Sequence, residues 1–448
     1  MFMFAIGLTL PAAACGGFFC TPAIAPIDQA AEEIVFAHDS AQGLIEMHIE
    51  ITYEGRSDDF AWILPVPEEP ELFLSSSEMF TELAALTAPS FRTNFKEVGN
   101  CREPISLGCS AEYSMTDSAG NYTDVDVVDQ ERIGPYETVT LRANSAAELL
   151  TWLVDNDYDL PQNVEPLLEV YVAEQSYFVA MRLAADSDVG DIEPIGMSYK
   201  ADKMAIPIQL TAIAAAADMP LRVYVFGDSR AVPESYLHVE INEAAIDWLG
   251  QGSNYYDVVE AAANEADGHA FVTEFAGRSS VSSTGISPEL ARLAGAYPYL
   301  TRMTAVLSPD EMTVDPTFVF NADLPNVNKD HVADLVVDCS GGKKRDNAPM
   351  YIELADGRIV HHGENANQFG ATDTTVADLQ AVPALSISGM GASGAAELIA
   401  DFAKDADNAL AKHNDGYDQG GCGCVTAPLP SSIFGLGLVL LIFRRRRP

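Results

Sequence analysis

The sequence predicts an α+β fold: a largely antiparallel sheet, a helix hairpin, further packed helices and one hydrophobic helix at the C-terminus. Three observations predict it. Leu44–Tyr53 alternates apolar and polar residues without a break. Between Tyr136 and Leu183 a strand pattern is followed by two helical stripes and a second strand. Elsewhere strands and helices do not alternate in the regular βαβ order of a parallel sheet.

In Leu44–Tyr53, residues Ile45, Met47, Ile49, Ile51 and Tyr53 fall on one face, with Glu46, His48, Glu50 and Thr52 on the other. Asp28–Glu33 before it reads as a short polar helix. Glu54-Gly55 turns the chain, and Phe60–Val66 returns as an apolar strand. Pro65 cannot donate to a ladder, so that strand lies at an edge or ends there. Ser75–Thr87 reads as a helix, and the polar stretch Phe91–Val128 as an excursion over the surface.

Tyr136–Arg142 reads as a half-buried strand, Val139 and Leu141 on one side, Thr138 and Thr140 on the other. Ser145 with Glu148 three residues on is a capping box for the next helix. Ala146, Leu149, Leu150 and Leu153 form its apolar stripe, and Asn156 suits a left-handed C-terminal position. Val164, Leu167, Leu168 and Tyr171 form a second stripe. Tyr177–Leu183 is apolar on both faces except at Arg182, the pattern of a central strand.

Met204–Ile213 and Leu221–Phe226 read as paired strands around a loop near Asp218–Pro220. Asn254–Ala266 and Ser287–Leu293 read as helices, His269–Phe275 and Tyr299–Leu307 as strands. Ser340–Asn347 has linker composition, and Met350–His361 forms a hairpin about Asp356-Gly357. Ala384–Ala411 is rich in Ala and Gly, and Asp415–Gly421 reads as a flexible spacer.

The chain carries 25 basic and 66 acidic residues among 448, a net charge of −41. Nucleic acid and anionic lipid surfaces are therefore poor partners for the main body. Two readings of the acid stay open: solvation in a saline setting, where salt relieves the repulsion, and calcium binding. The best local calcium candidate, Asp186–Glu193, opens as Asp-x-Asp but has its Gly one position early and no spaced terminal Glu.

The two ends point to export. Met1–Ala14 is an apolar run ending Ala12-x-Ala14, a signal-peptidase site in type, although no Lys or Arg precedes Arg56. A lipoprotein signal acylated on Cys15 is the alternative, with Ala12 where Leu is usual. At the other end Gly420–Cys424 precedes an apolar core over Ile433–Phe443 and then Arg444–Arg447. A full span wants about 20 apolar residues, reached here only by including Val425–Ser432. The arginines mark the cytoplasmic side and leave the body outside.

Seven cysteines in an exported chain invite disulfides. Cys15 with Cys20 and Cys101 with Cys109 are the local pairs, crossed pairings stay open, and Cys339 has no obvious partner unless Cys422 or Cys424 takes it. No Cys-x-x-Cys spacing, His-Glu-x-x-His, Gly-x-Ser-x-Gly or phosphate loop occurs. Gly389–Gly394 matches a dinucleotide-binding pattern, but no room remains for the second strand that fold needs. Trp62, Trp152 and Trp248 sit in apolar surroundings and read as core. No catalytic, metal-ligating or cofactor-binding set assembles from the letters, so no cofactor is expected.

A run of phrases resembles the bacterial family catalogued as domain of unknown function 2330: ACGGFFC, FAWILPVP, GPYETVTL, LLTWLVDNDYDLP, YVAEQSYFVAMRL, VEINEAAIDWL, GHAFVTEFAG and DEMTVDPTFVFN, spread over Cys15–His331. The resemblance implies a domain and no established activity. The order of parts at the C-terminus looks like the myxobacterial-type sorting signal. That resemblance implies cleavage by a processing protease near the cysteines and transfer to the cell surface, with Cys422 and Cys424 as the residues concerned, lipid attachment included. Four segments follow: a signal peptide over 1–14, the family domain over 15–338, an extension and spacer over 339–421, and the sorting signal over 422–448. The expected function is a non-enzymatic domain at the cell surface or outer envelope, anchored through its C-terminus, in a binding, adhesive or envelope role. An exported hydrolase with a site built from distant residues is the alternative, and a calcium-stabilised surface module the second.

Overall fold

The structure is a computed structural model that describes residues 28–54, 61–101, 132–156, Tyr158, 164–184, Ser187, 192–279, 285–343, 348–362, 385–387 and 395–418. Alternation carries β2 (Leu44–Glu54) into the middle of the molecule, with Ile45, Met47, Ile49 and Ile51 buried. It pairs along its length with β1 (Asp28–Asp39), which pairs in parallel with β11 (Met219–Gly227). Asp28–Glu33, expected as a helix, therefore opens a central strand. Gln29 and Glu32 are buried there, and pairing on both sides overrides the polar local composition.

These strands belong to a nine-stranded sheet of order β20-β13-β14-β15-β11-β1-β2-β9-β4. Its other members are β4 (Glu71–Leu74), β9 (Ile195–Lys200), β13 (Leu237–Ile241), β14 (Ala270–Arg278), β15 (Tyr299–Leu307) and β20 (Leu385–Ile387). Every strand-to-strand ladder among the described residues is antiparallel except β1–β11, which an isolated parallel bridge Gln29↔Ala215 adjoins, β13–β14 and β5–β17, where β5 is Ser90–Gly99 and β17 is Asp330–Cys339. The class is thus α+β with a mainly antiparallel sheet, as the sequence predicts.

One face of the large sheet carries α1 (Ser77–Thr87) and α6 (Pro288–Ala296), packed through Met79, Phe80, Leu83, Leu290 and Leu293 onto Val35, Ala37, Tyr224 and Phe226. Further along, α5 (Tyr255–Glu265) packs over β13 and β14. The opposite face packs on a four-stranded sheet, order β3-β8-β7-β6, through Trp62, Leu64, Val179 and Met181. Here β3 is Ala61–Val66, β6 Arg132–Ile133, β7 Tyr136–Arg142 and β8 Tyr177–Leu183. Pro65 lies in its edge strand and β8 is central, both as expected. The hairpin of α2 (Ala146–Asp155) and α3 (Glu165–Ala173) covers the far side of this sheet through Leu149, Leu153 and Leu168. The Ser145 hydroxyl caps α2 by accepting the Glu148 amide at 3.2 Å.

Two details of this unit differ from the sequence reading. Thr138 faces inward and Val139 is 43 % exposed, because Tyr136 is buried and donates its hydroxyl to the Glu193 carbonyl at 2.6 Å, fixing the inward parity of β7. Asn156 has φ −107 rather than a left-handed φ, and closes α2 by donating its side-chain amide to the Trp152 carbonyl at 2.8 Å.

The expected hairpin of Met204–Ile213 with Leu221–Phe226 does not form. Met204–Ala205 is a two-residue strand, β10, on β16 (Thr317–Phe320), and Ile208–Thr211 is a single helical turn, α4. Strands β10, β16 and β12 (Ala231–Pro233) make a three-stranded sheet. Phe91–Gly99, expected within a surface excursion, belongs with Ser90 to β5, in parallel register with β17 from Ser90↔Asp330 to Gly99↔Cys339. With β18 (Met350–Glu353) and β19 (Ile359–His361), hairpinned about Gly357 at φ +86, they form the last sheet. The helix α7 (Ala395–Asp418) runs through the first part of the expected spacer.

The register of β5 on β17 decides the disulfide. Cys101, two residues past Gly99, bonds Cys339, with Cα atoms 5.2 Å apart across 238 residues of sequence. This corrects the local pairing with Cys109: a parallel neighbour delivered by the fold outcompetes a near neighbour in sequence. Among the described residues no helix is long and apolar enough to cross a membrane. The apolar termini, Cys15, Cys20, Cys109, Cys422, Cys424 and Gly389–Gly394 lie outside the described residues, as does most of Asp186–Glu193.

Candidate functional site

A cleft of about 390 Å³ opens where the ends of β13 and β14 meet the approach to β17 and the β18–β19 turn. Glu240, Glu243, Glu274, Asp330 and Asp356 line it, against His331 and Arg358 as its basic side chains. The His331 Nδ1 lies 2.7 Å from the Glu243 carboxylate, and its ring stacks on Phe91 with centroids 4.7 Å apart. Phe91 reaches that position across Gly252, where a Cβ would lie 2.3 Å from the ring. Arg358 donates to Asn242 Oδ1 at 2.8 Å and to Asp356 at 2.6 Å.

The floor of the cleft is a charged network. A register shift in β14 between Thr273 and Phe275 leaves Glu274 unpaired in the ladder, where it accepts from Arg302 Nε and from the Tyr255 hydroxyl at 2.6 Å. Burial and the neighbouring Glu274 carboxylate push the Tyr255 hydroxyl well above the usual range, so it stays a donor. Thr273 lines the same floor, and its buried hydroxyl has no partner. On neighbouring β13, opposite Phe271, both ring nitrogens of buried His238 lack hydrogen-bond partners, and burial with the nearby Arg230 holds its pKa down to about 4, keeping it neutral. The cleft offers carboxylates and carbonyls to a ligand and no Ser or Cys nucleophile among its lining residues. It suits a cationic or hydrogen-bond-donating group.

A second cluster lies under α6. Glu46 and His48 project from the same face of β2, and Glu289 comes from the first turn of α6. His48 is fully buried: its Nε2 lies 2.9 Å from Glu46, its Nδ1 2.8 Å from the Ser75 hydroxyl and 3.5 Å from Glu289. Arg292 pairs with Glu46 from solvent. Burial disfavours the Glu46 charge, yet hydrogen bonds from His48 and Arg292 prevail and hold its carboxyl down to about 2. Phe73 covers the imidazole edge-on at 5.5 Å, and Gly196 opposite both residues makes room, since a Cβ there would lie 2.1 Å from that ring.

The hydroxyl–imidazole–carboxylate chain Ser75–His48–Glu46 has the connectivity of a nucleophile relay. Its surroundings oppose that use: the Ser75 amide is spent on the Pro194 carbonyl at 2.9 Å, and the imidazole has no exposed edge. The sequence places Glu46 and His48 on one strand face but gives no sign that the face is buried, nor that Glu289 arrives from 241 residues away. It likewise gives no sign of the cleft, whose walls come from five separate segments. Trp62 and Trp248 are core residues as expected, Trp248 donating to the Glu243 carbonyl at 2.8 Å.

No curated protein matches the chain, and no solved structure does. A family model matches residues 10–319, more than two-thirds of the chain, and takes in β1 to β15, the helix hairpin and the Glu46–His48–Glu289 cluster. The chain belongs to the family described as "Uncharacterized protein conserved in bacteria (DUF2330)".

Proposed function

We propose that this protein is an exported binding domain, tethered at the cell envelope through its C-terminal signal and using its acidic cleft to hold a cationic group of a partner. The observation that carries the reading is the Cys101–Cys339 bond. Disulfides persist in oxidising compartments and are rare in a reducing cytosol. The apolar run over Met1–Ala14 and the Cys422–Arg447 segment agree with that compartment. The charge of −41 keeps the body away from anionic surfaces and favours basic partners. The partners of the tether are the envelope membrane and the protease of the sorting system.

Cell fractionation with surface labelling tests the reading. The wild type is expected in the envelope fraction and accessible from outside, and Cys422→Ala/Cys424→Ala is expected to lose surface display. Full-length protein retained in the cytosol contradicts export. Unchanged display of the double variant replaces the sorting signal with a plain membrane anchor. Covalent capture of Ser75 by a fluorophosphonate probe would favour the exported-hydrolase reading instead.

A further inference from the structure

We propose that Glu46, His48 and Glu289 form a divalent-cation site that prefers zinc to calcium. Their ligand atoms all lie within 4.8 Å of one another, and no other group of three His, Cys, Asp or Glu among the described residues is marked by this closeness. The donor set is one imidazole and two carboxylates, which matches the three protein ligands and one open position of accessible zinc sites. Calcium takes six to eight oxygens and has no use for the imidazole.

The electrostatics leave a place for a cation. Two carboxylates converge on one imidazole, and a single guanidinium, Arg292, serves both: it pairs directly with Glu46 and only feels the charge of Glu289. Glu289 makes no hydrogen bond or ion pair with any described residue besides its 3.5 Å approach to His48. Arg292 is itself 51 % exposed, so releasing it to solvent costs little. A zinc ion would take over the neutralising role that the guanidinium now fills from outside.

The two carboxylates are reachable from solvent, and the buried imidazole is held in shape behind them. Glu46 and Glu289 keep 18 % and 19 % exposure, while His48 is fixed by Phe73 on one side and the Ser75 hydroxyl at its Nδ1. With the Ser75 hydroxyl on Nδ1, Nε2 is the nitrogen on the Glu46 side, and a water can complete the coordination. In the cleft, by contrast, no carboxylate trio comes this close.

Isothermal titration of the chelator-stripped full chain with Zn²⁺, at physiological salt, tests the proposal. One equivalent is expected to bind. Glu289→Gln, a partly exposed change that leaves the packing of β2 alone, should weaken it by at least about tenfold. Arg292→Ala should tighten binding, because it removes the competitor for Glu46. Circular dichroism on each variant confirms the fold. Absence of saturable zinc binding in both the wild type and Arg292→Ala overturns the proposal. So does zinc binding indifferent to Glu289→Gln, or calcium bound as tightly as zinc.

Discussion

Two charged clusters sit on the helix-covered face of one sheet, and they differ in how their charge is settled. Glu274, Arg302 and Tyr255 lie between β14, β15 and α5, with carboxylate and guanidinium almost wholly buried. Arg302 also donates to the Ala84 carbonyl and the Thr87 hydroxyl at 3.3 Å, so the network closes on itself. Glu46, His48 and Glu289 lie toward the other end of the strand order, at β2, carry a surplus carboxylate and keep two partly exposed carboxylates. A buried charge is tolerable only when compensated and hydrogen-bonded. The closed cluster therefore acts as a brace for the cleft floor, and the open one as a place where a cation can enter.

The largest effect is expected at the brace. Arg302→Met strands Glu274 in the interior and should cost about 3–5 kcal/mol in urea unfolding. Pairing it with Glu274→Gln should recover part of that loss, since the double variant buries no unmatched charge. If the single change is neutral, the two clusters do not differ in the way argued. Next comes the disulfide. Cys101→Ser/Cys339→Ser should lose about 2–5 kcal/mol, read from the denaturant midpoint under oxidising conditions.

A third prediction concerns Glu32, buried between β2 and β11 with only the Gln29 amide, at 2.9 Å, as a donor. Burial pushes its pKa from the ordinary 4.5 up to about 7, the Gln29 hydrogen bond offsetting part of the rise. An acid raised in the folded state holds its proton more tightly there than when unfolded. Stability therefore falls as pH climbs from about 4.5 to about 7 and levels off above. Glu32→Gln should match the wild type below that window and exceed it at pH 8 by up to about 3 kcal/mol. Melting curves of both across the window would show it. The smallest effect belongs to the open cluster: without a cation, Arg292→Ala should change stability by less than about 1 kcal/mol, as for other half-exposed pairs.

The elements with strong local signals were legible in the letters. The period-two pattern of Leu44–Tyr53, the Ser145 cap and the stripes of α2 and α3 each announce themselves. What the letters hid was decided by distant pairing. Asp28–Glu33 is strand because β11 and β2 flank it, and Ser90–Gly99 because β17 arrives 240 residues later. Both candidate sites share that origin. Glu289 reaches His48, and Asp356 reaches Glu240, only after the sheets have assembled. The Cys101 partner was hidden for the same reason, since register rather than spacing chose Cys339.

That bond links the fold to the proposed oxidising compartment, and mapping it in cells tests the account most directly. Free thiols are blocked at lysis, the protein is digested without reductant, and its cysteine peptides are identified by mass spectrometry. The account predicts a Cys101–Cys339 linked peptide, recovered with the envelope fraction. Recovery of both cysteines as blocked free thiols from cytosolic protein would contradict it.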